Sequence, residues 1–299
     1  MKKYIKNKYF AVFTALIAMF LWGSAFPVLK LTNEELQIAQ SDYYSKIYIA
    51  GLRFLLSGII VFVLMLFIDK KSVPQLVSNL PFLFTLGLLS VSIAYFFFYI
   101  GVGNTSGMKS AILTSSSSFF VVIFSHFILK NEEINKKKVF AIFIGMIGII
   151  VLNIDKGFDF NFKWDGEFFI IINSIVSALS TIYVKKYGTN ISALVKTAGQ
   201  MLIGSVILIA VGYLGLSQRL IFTPNSVLLI FYASIISSVA FILWYYLLSE
   251  YKASEITFLR LFIPFFGTIL SGILLNENLN ISIFLGLLFV IIGIIVVNK

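Results

Sequence analysis

Two arginines and a set of aromatic and hydroxyl side chains lie inside otherwise apolar runs of this sequence. Arg260 sits about six residues into the run 254–275, with Thr257 and Pro264 at i−3 and i+4. A charge at the centre of a membrane helix costs at least ~2.5–3.5 kcal/mol on insertion scales, so an arginine there marks a functional position by default. Its planar fork suits a carboxylate or phosphate, and Pro264 frees a backbone carbonyl beside it. The competing reading is an arginine that snorkels to the interface. Arg53, near one end of the run 46–68, reads as a structural anchor.

Tyr95 and Tyr99 share a helical face at i, i+4, and Trp22 and Trp244 could complete an aromatic cage for a cation or planar ring. Asn173, Ser177 and Ser180 fall at i, i+4 and i+7 on one face of another helix. The run Thr114-Ser-Ser-Ser-Ser118 sweeps around most of a helix, so only one or two members, Thr114 with Ser117, are expected to face inward. Each of these residues has a second reading. Intramembrane hydroxyls also bond helix to helix, for ~0.6 kcal/mol on average, and aromatics also face lipid or form interfacial belts.

The same inventory excludes most catalysis. The chain has no cysteine and one histidine, which rules out a thiolate nucleophile, a Cys-ligated metal and any centre needing two imidazoles. No Asp or Glu lies in the middle of an apolar run, so a buried carboxylate proton relay is not apparent. His126, one turn from Lys130, reads as interfacial, as do Lys196 and Gln200. No catalytic residue, metal or cofactor is expected.

What must hold these side chains in place is a bundle in lipid. Of 299 residues, 59% are hydrophobic and 12% charged, about half the charge of an ordinary soluble domain. Such a chain cannot cover a globule with polar surface, which excludes a cytosolic enzyme, a nucleic-acid-binding domain and a disordered protein. About 20 apolar residues span the ~30 Å core. The runs 10–31, 46–68, 81–102, 108–129, 137–154, 166–187, 192–216, 226–249, 254–275 and 280–298 therefore predict ten transmembrane helices.

The net charge of +10 is distributed as topology. With the N-terminus inside, fourteen Lys and Arg fall on the cytoplasmic side, six outside and three within spans. Both termini are thus expected in the cytoplasm of a multi-pass cell-membrane (inner or plasma membrane) protein. Cleavage after Gly23-Ser-Ala25 is not expected, because the apolar run continues through Leu29.

Two pairs of segments recur 145 residues apart: Asn131-Glu-Glu-Ile-Asn135 with Asn276-Glu-Asn-Leu-Asn280, and Gly148-Ile-Ile-Val-Leu-Asn153 with Gly293-Ile-Ile-Val-Val-Asn298. They predict two five-helix repeats, 1–155 and 156–299. Five is odd, so the second repeat enters the membrane inverted, which is the architecture of alternating-access carriers with a midplane site. No P-loop lysine motif is present to bind ATP.

Phe20-Leu-Trp-Gly-Ser-Ala-Phe-Pro27, Leu52-Arg-Phe-Leu-Leu-Ser-Gly58 and Phe262-Ile-Pro-Phe-Phe-Gly267, followed by Asn276-Glu277, Gly286 and Gly293, resemble the drug/metabolite transporter superfamily, EamA-like branch. The resemblance implies ten helices in two repeats and a cavity lined by the first, third, fourth, sixth, eighth and ninth. It also implies transport of amino acids, amines, nucleobases, drugs or other metabolites, often outward. One departure is Ser118-Phe119 where the second repeat has Pro264, which leaves a kink in the fourth span undecided.

The resulting expectation is an all-α alternating-access secondary transporter that exports an amino acid or amine-bearing metabolite. Its substrate would contact Trp22, Tyr95, Tyr99, Thr114, Ser117, Asn173, Ser177, Trp244 and Arg260. Its partners would be a small-molecule substrate and membrane lipids, with no nucleic acid, as a monomer or weak homodimer. A multidrug or quaternary-amine exporter that relies on the cage alone is the alternative, with an intramembrane lipid-modifying enzyme and a channel further off.

Overall fold

The computed structural model describes residues 5, 7–105, 110, 113–153, 162–216, 219–276 and 281–298, and all regular structure among them is helical. In chain order the helices are α1 (Lys8–Glu35), α2 (Tyr43–Ile68), α3 (Leu80–Asn104), α4 (Leu113–Ile128), α5 (Lys136–Asn153), α6 (Trp164–Tyr187), α7 (Ala193–Leu214), α8 (Pro224–Glu250), α9 (Ala253–Leu275) and α10 (Ile281–Asn298). Among the described residues seven are long and apolar enough to cross a bilayer, and α4 and Phe284–Gly293 within α10 are shorter apolar helices. The expected repeat boundary at 155–156, Glu277, and Lys2, Lys3 and Lys6 of the charge count lie outside the described residues.

Local chemistry sets the helix ends. Asn7 opens α1 by accepting from the backbone N–H groups of Tyr9 and Phe10 at 3.0 and 3.3 Å. At its far end α1 continues to Glu35, beyond the expected span, where the Thr32 hydroxyl bonds back to Val28 O at 2.7 Å. Twenty-eight residues at ~1.5 Å each reach about 42 Å, the thickness of a bilayer with its headgroups. Thr223 and Ser226 form a reciprocal capping box ahead of α8, with Pro224 at its first position.

Packing relies on close backbone approach, since lipid removes most of the hydrophobic drive between helices. The α2–α7 contact closes at Gly212, where an added Cβ would lie 2.5 Å from Tyr48 N. The α5–α10 contact closes at Gly148, whose Cβ would lie 2.6 Å from Gly286 O. Around these two pairs, α1 packs on α8 and α9, while α6 packs on α3 and α4. Large apolar side chains such as Phe140, Phe143, Phe284 and Leu288 point outward from α5 and α10. Asn131 and Asn276, the leading residues of the matched pair of segments, both take the left-handed conformation, Asn131 in the turn that follows α4 and Asn276 as the C-cap of α9, with φ of 63° and 54°. Asparagine is one of the few residues that tolerates this ending without glycine.

Candidate functional site

Three irregular helical turns face one another at the middle of the bundle. In α3, a π-helical turn over Leu88–Ile93 precedes Ala94 and Tyr95. In α9, a 3₁₀ turn over Thr257–Leu261 carries Arg260. Pro264 offers no N–H to the Arg260 carbonyl and its ring crowds that carbonyl, and regular α-helix begins only after the 3₁₀ turn, at Phe262. In α4, a turn at Ser116 breaks the helix without a proline. The Leu113 carbonyl there accepts from the hydroxyls of Ser116 and, from α6, Ser174 at 2.8 Å. The fourth span thus has an interrupted turn at Ser116 in place of a proline, and such irregular turns commonly mark functional positions.

Between these turns lies an inner chamber of about 180 Å³, lined by residues of α1, α2, α3, α4, α6, α8 and α9. It shares Phe26, Leu29, Phe98, Thr114, Arg260 and Ile263 with a vestibule of about 690 Å³. The vestibule runs between the C-terminal ends of α1, α3 and α9 and the N-terminal ends of α2 and α4, so it opens on the face opposite the start of α1. Lys30, Lys46 and the exposed Glu34 sit in its rim.

Every residue of the expected substrate site borders one of these spaces. Trp22, Tyr95, Asn173, Ser177, Ser180 and Trp244 line the chamber; Tyr99 and Ser117 line the vestibule; Thr114 and Arg260 line both. Arg260 is drawn inward rather than snorkelling, with its guanidinium carbon 5.9 Å from the Trp22 ring centroid and 5.7 Å from that of Trp244. The two indoles meet edge to face at 5.9 Å. The serine run differs from expectation: Thr114, Ser115, Ser117 and Ser118 all border the vestibule, because the break at Ser116 interrupts the helical sweep.

Arg53 exceeds its expected anchoring role. It lines the chamber while 3% exposed, stacked 4.4 Å from the Phe54 centroid and 5.7 Å from that of Tyr95. Its backbone is the anchored part, since Arg53 O accepts from the Ser57 hydroxyl at 2.9 Å and the Ser234 hydroxyl of α8 at 3.0 Å. Ser57 in turn donates to Ser234 O at 2.9 Å. Among the described residues neither guanidinium has a hydrogen bond or ion pair, and the Nε of each is buried without a partner.

Lys196 and Gln200 are buried in the bundle rather than interfacial. Lys196 Nζ donates to Gly188 O at 3.0 Å. Gln200 Oε1 accepts from Ser90 Oγ at 2.6 Å and from the Tyr245 hydroxyl, forming the floor under the chamber. A sequence reading placed both near a helix end and could not see that α7 starts inside the packed bundle. His126 is exposed, as expected, and its Nδ1 accepts from Ile134 N at 3.4 Å.

The face where α1 starts is sealed by polar clasps that sequence reasoning missed. Glu132, placed in a loop from sequence, is 3% exposed and accepts from Ala253 N and Ser254 N at 2.9 and 2.8 Å, capping the start of α9. Lys185 Nζ donates to Leu248 O and Tyr251 O at 2.8 and 2.7 Å, capping the end of α8. The Tyr251 hydroxyl donates to Ile5 O at 2.8 Å, and burial, with Glu250 adding, pushes its phenol above the ordinary range so that it stays a donor.

The chain is 28% identical to an uncharacterized transporter, YetK, of Bacillus subtilis (strain 168), covering 98% of this chain and 88% of that one. An uncharacterized transporter of Archaeoglobus fulgidus is 24% identical, over 93% of each chain. A solved crystal structure superposes with a TM-score of 0.79 at 16% identity, covering 96% of this chain and 95% of that one, which shows a shared fold. The model of the EamA-like transporter family matches residues 9–154 and 164–299. This apolar helical bundle with a central cavity, matched by that model over nearly its whole length, belongs to the EamA-like transporter family.

Proposed function

We propose that this chain is a secondary transporter that moves a small carboxylate-bearing metabolite by alternating access through the central chamber. The observation that carries this reading is Arg260, held by two indoles in a chamber open to one face and without a hydrogen bond or ion pair among the described residues. A bidentate carboxylate is the ligand its geometry fits best. The aromatic faces suggested for a quaternary amine already carry the protein's own guanidiniums, so the cage favours no added cation.

Two structural facts support inverted five-helix repeats of a ten-span bundle. Exchanging α1 with α6, α3 with α8 and α4 with α9 maps the α1 contacts onto the α6 contacts. The left-handed asparagines 131 and 276 follow corresponding helices of the two halves. Without a mid-span carboxylate, transport follows the substrate's own gradient or an exchange.

Exchange in proteoliposomes tests the reading. Labelled leucine, pentanoate and glutarate are offered outside vesicles loaded with the same compound. At least one is expected to enter saturably, and faster with the preload than without. Uptake of none, or flux that rises without saturation as through a channel, overturns it.

A further inference from the structure

Resting on that reading, we infer that the chamber is a two-point anion site whose substrate bears an acidic group at each end and no ammonium. Arg53 and Arg260 reach the chamber from α2 and α9, and none of the described residues lining it is acidic. Each guanidinium lies over aromatic rings, an arrangement that holds its plane and leaves edge N–H groups to be shared with a ligand. The Nε of each is buried and unsatisfied, so both carry donor capacity that no group among the described residues uses.

Several of the other polar groups of the chamber are committed to the protein. Asn173 Nδ2 donates to Ala94 O at 2.8 Å, Thr181 Oγ1 to Ser177 O at 3.0 Å, and Ser237 Oγ to Ala233 O at 3.0 Å. Ser90 donates to Gln200, as described above. The charged donors among the described residues lining the chamber are the two arginines.

A dianion pairs both guanidiniums. A monoanion leaves one charge unpaired in a confined space. A zwitterionic amino acid brings its ammonium up to that unpaired charge with no carboxylate to receive it, and like charges so placed repel strongly in a low-dielectric site. The rim adds Lys30 and Lys46 against Glu34, so the entrance also favours anions.

The protein supplies its own reporter, because Trp22 and Trp244 flank Arg260 and the third tryptophan, Trp164, is 70% exposed on α6. In the full chain carrying Trp164→Phe, indole fluorescence in detergent is titrated with glutarate, pentanoate and 5-aminopentanoate. These share a five-carbon chain and differ only at one terminus. Glutarate is expected to bind at least about tenfold more tightly than pentanoate, as for an added charge-assisted pair, with 5-aminopentanoate weakest. Adding Arg53→Gln should bring glutarate down to the affinity of pentanoate. The three-compound series needs no cavity variant, so it decides the matter even if that substitution impairs folding.

Binding of 5-aminopentanoate as tight as glutarate overturns the two-point anion site and leaves a carboxylate carrier standing, as does an unchanged glutarate-to-pentanoate ratio in a folded Arg53→Gln protein. A response to none of the three, with saturable binding of tetraethylammonium instead, overturns both readings.

Discussion

Replacing Arg260 with glutamine is expected to reduce carboxylate transport about ten- to a hundredfold while leaving the protein folded. The magnitude follows from losing a charge-assisted bond of ~1.5–3 kcal/mol. Stability should hold because the guanidinium is partnered by ring faces and not by any acceptor, so glutamine strands no buried group. This differs from the usual buried ion pair, in which removing one member leaves the other uncompensated. Uptake in proteoliposomes and thermal unfolding in detergent read the two effects separately. Unchanged uptake would remove Arg260 from the site, and a large loss of melting temperature would make it a structural residue.

The second large effect is expected at Glu132, far from the chamber. Its carboxylate satisfies two backbone N–H groups at the start of α9, the helix that carries Arg260. Glu132→Ala strands both donors and should cost ~2–4 kcal/mol, lowering the melting temperature by several degrees. Glu132→Gln keeps an amide oxygen as an acceptor and should cost less. Because this clasp closes the face where α1 begins, its loss should also shift the protein toward the state open on that face. A melting temperature unchanged by Glu132→Ala would show that the bonds contribute nothing to closure.

How much of this was legible in the sequence depends on whether a side chain acts through its own run or through a neighbour. Hydropathy alone places the helices, since lipid requires each span to be apolar for its full length. Arg260, Tyr95, Trp244 and the Asn173 face could be picked out because a polar or aromatic group inside such a run must find protein or water. Arg53 could not be separated from an anchor, because its backbone and side chain do different work and only the fold brings Ser234 to one and the chamber to the other. Glu132 looked like an ordinary loop carboxylate, as its role needs the start of α9, 121 residues later in the chain. The serine run was misread for a related reason: a regular helix was assumed where Ser116 ends one turn and begins another.

Alternating access of a single chamber is the central claim, and the native absence of cysteine makes it directly measurable. Ser180 lines the chamber on α6, so Ser180→Cys introduces one thiol there. Its rate of reaction with a membrane-impermeant maleimide is measured from each face, in otherwise native protein and with Glu132→Ala added. The expected result is reciprocal: releasing the clasp raises the rate from the face where α1 begins and lowers it from the vestibule face. A rise on one face with no fall on the other would describe a leak or channel, and would contradict alternating access.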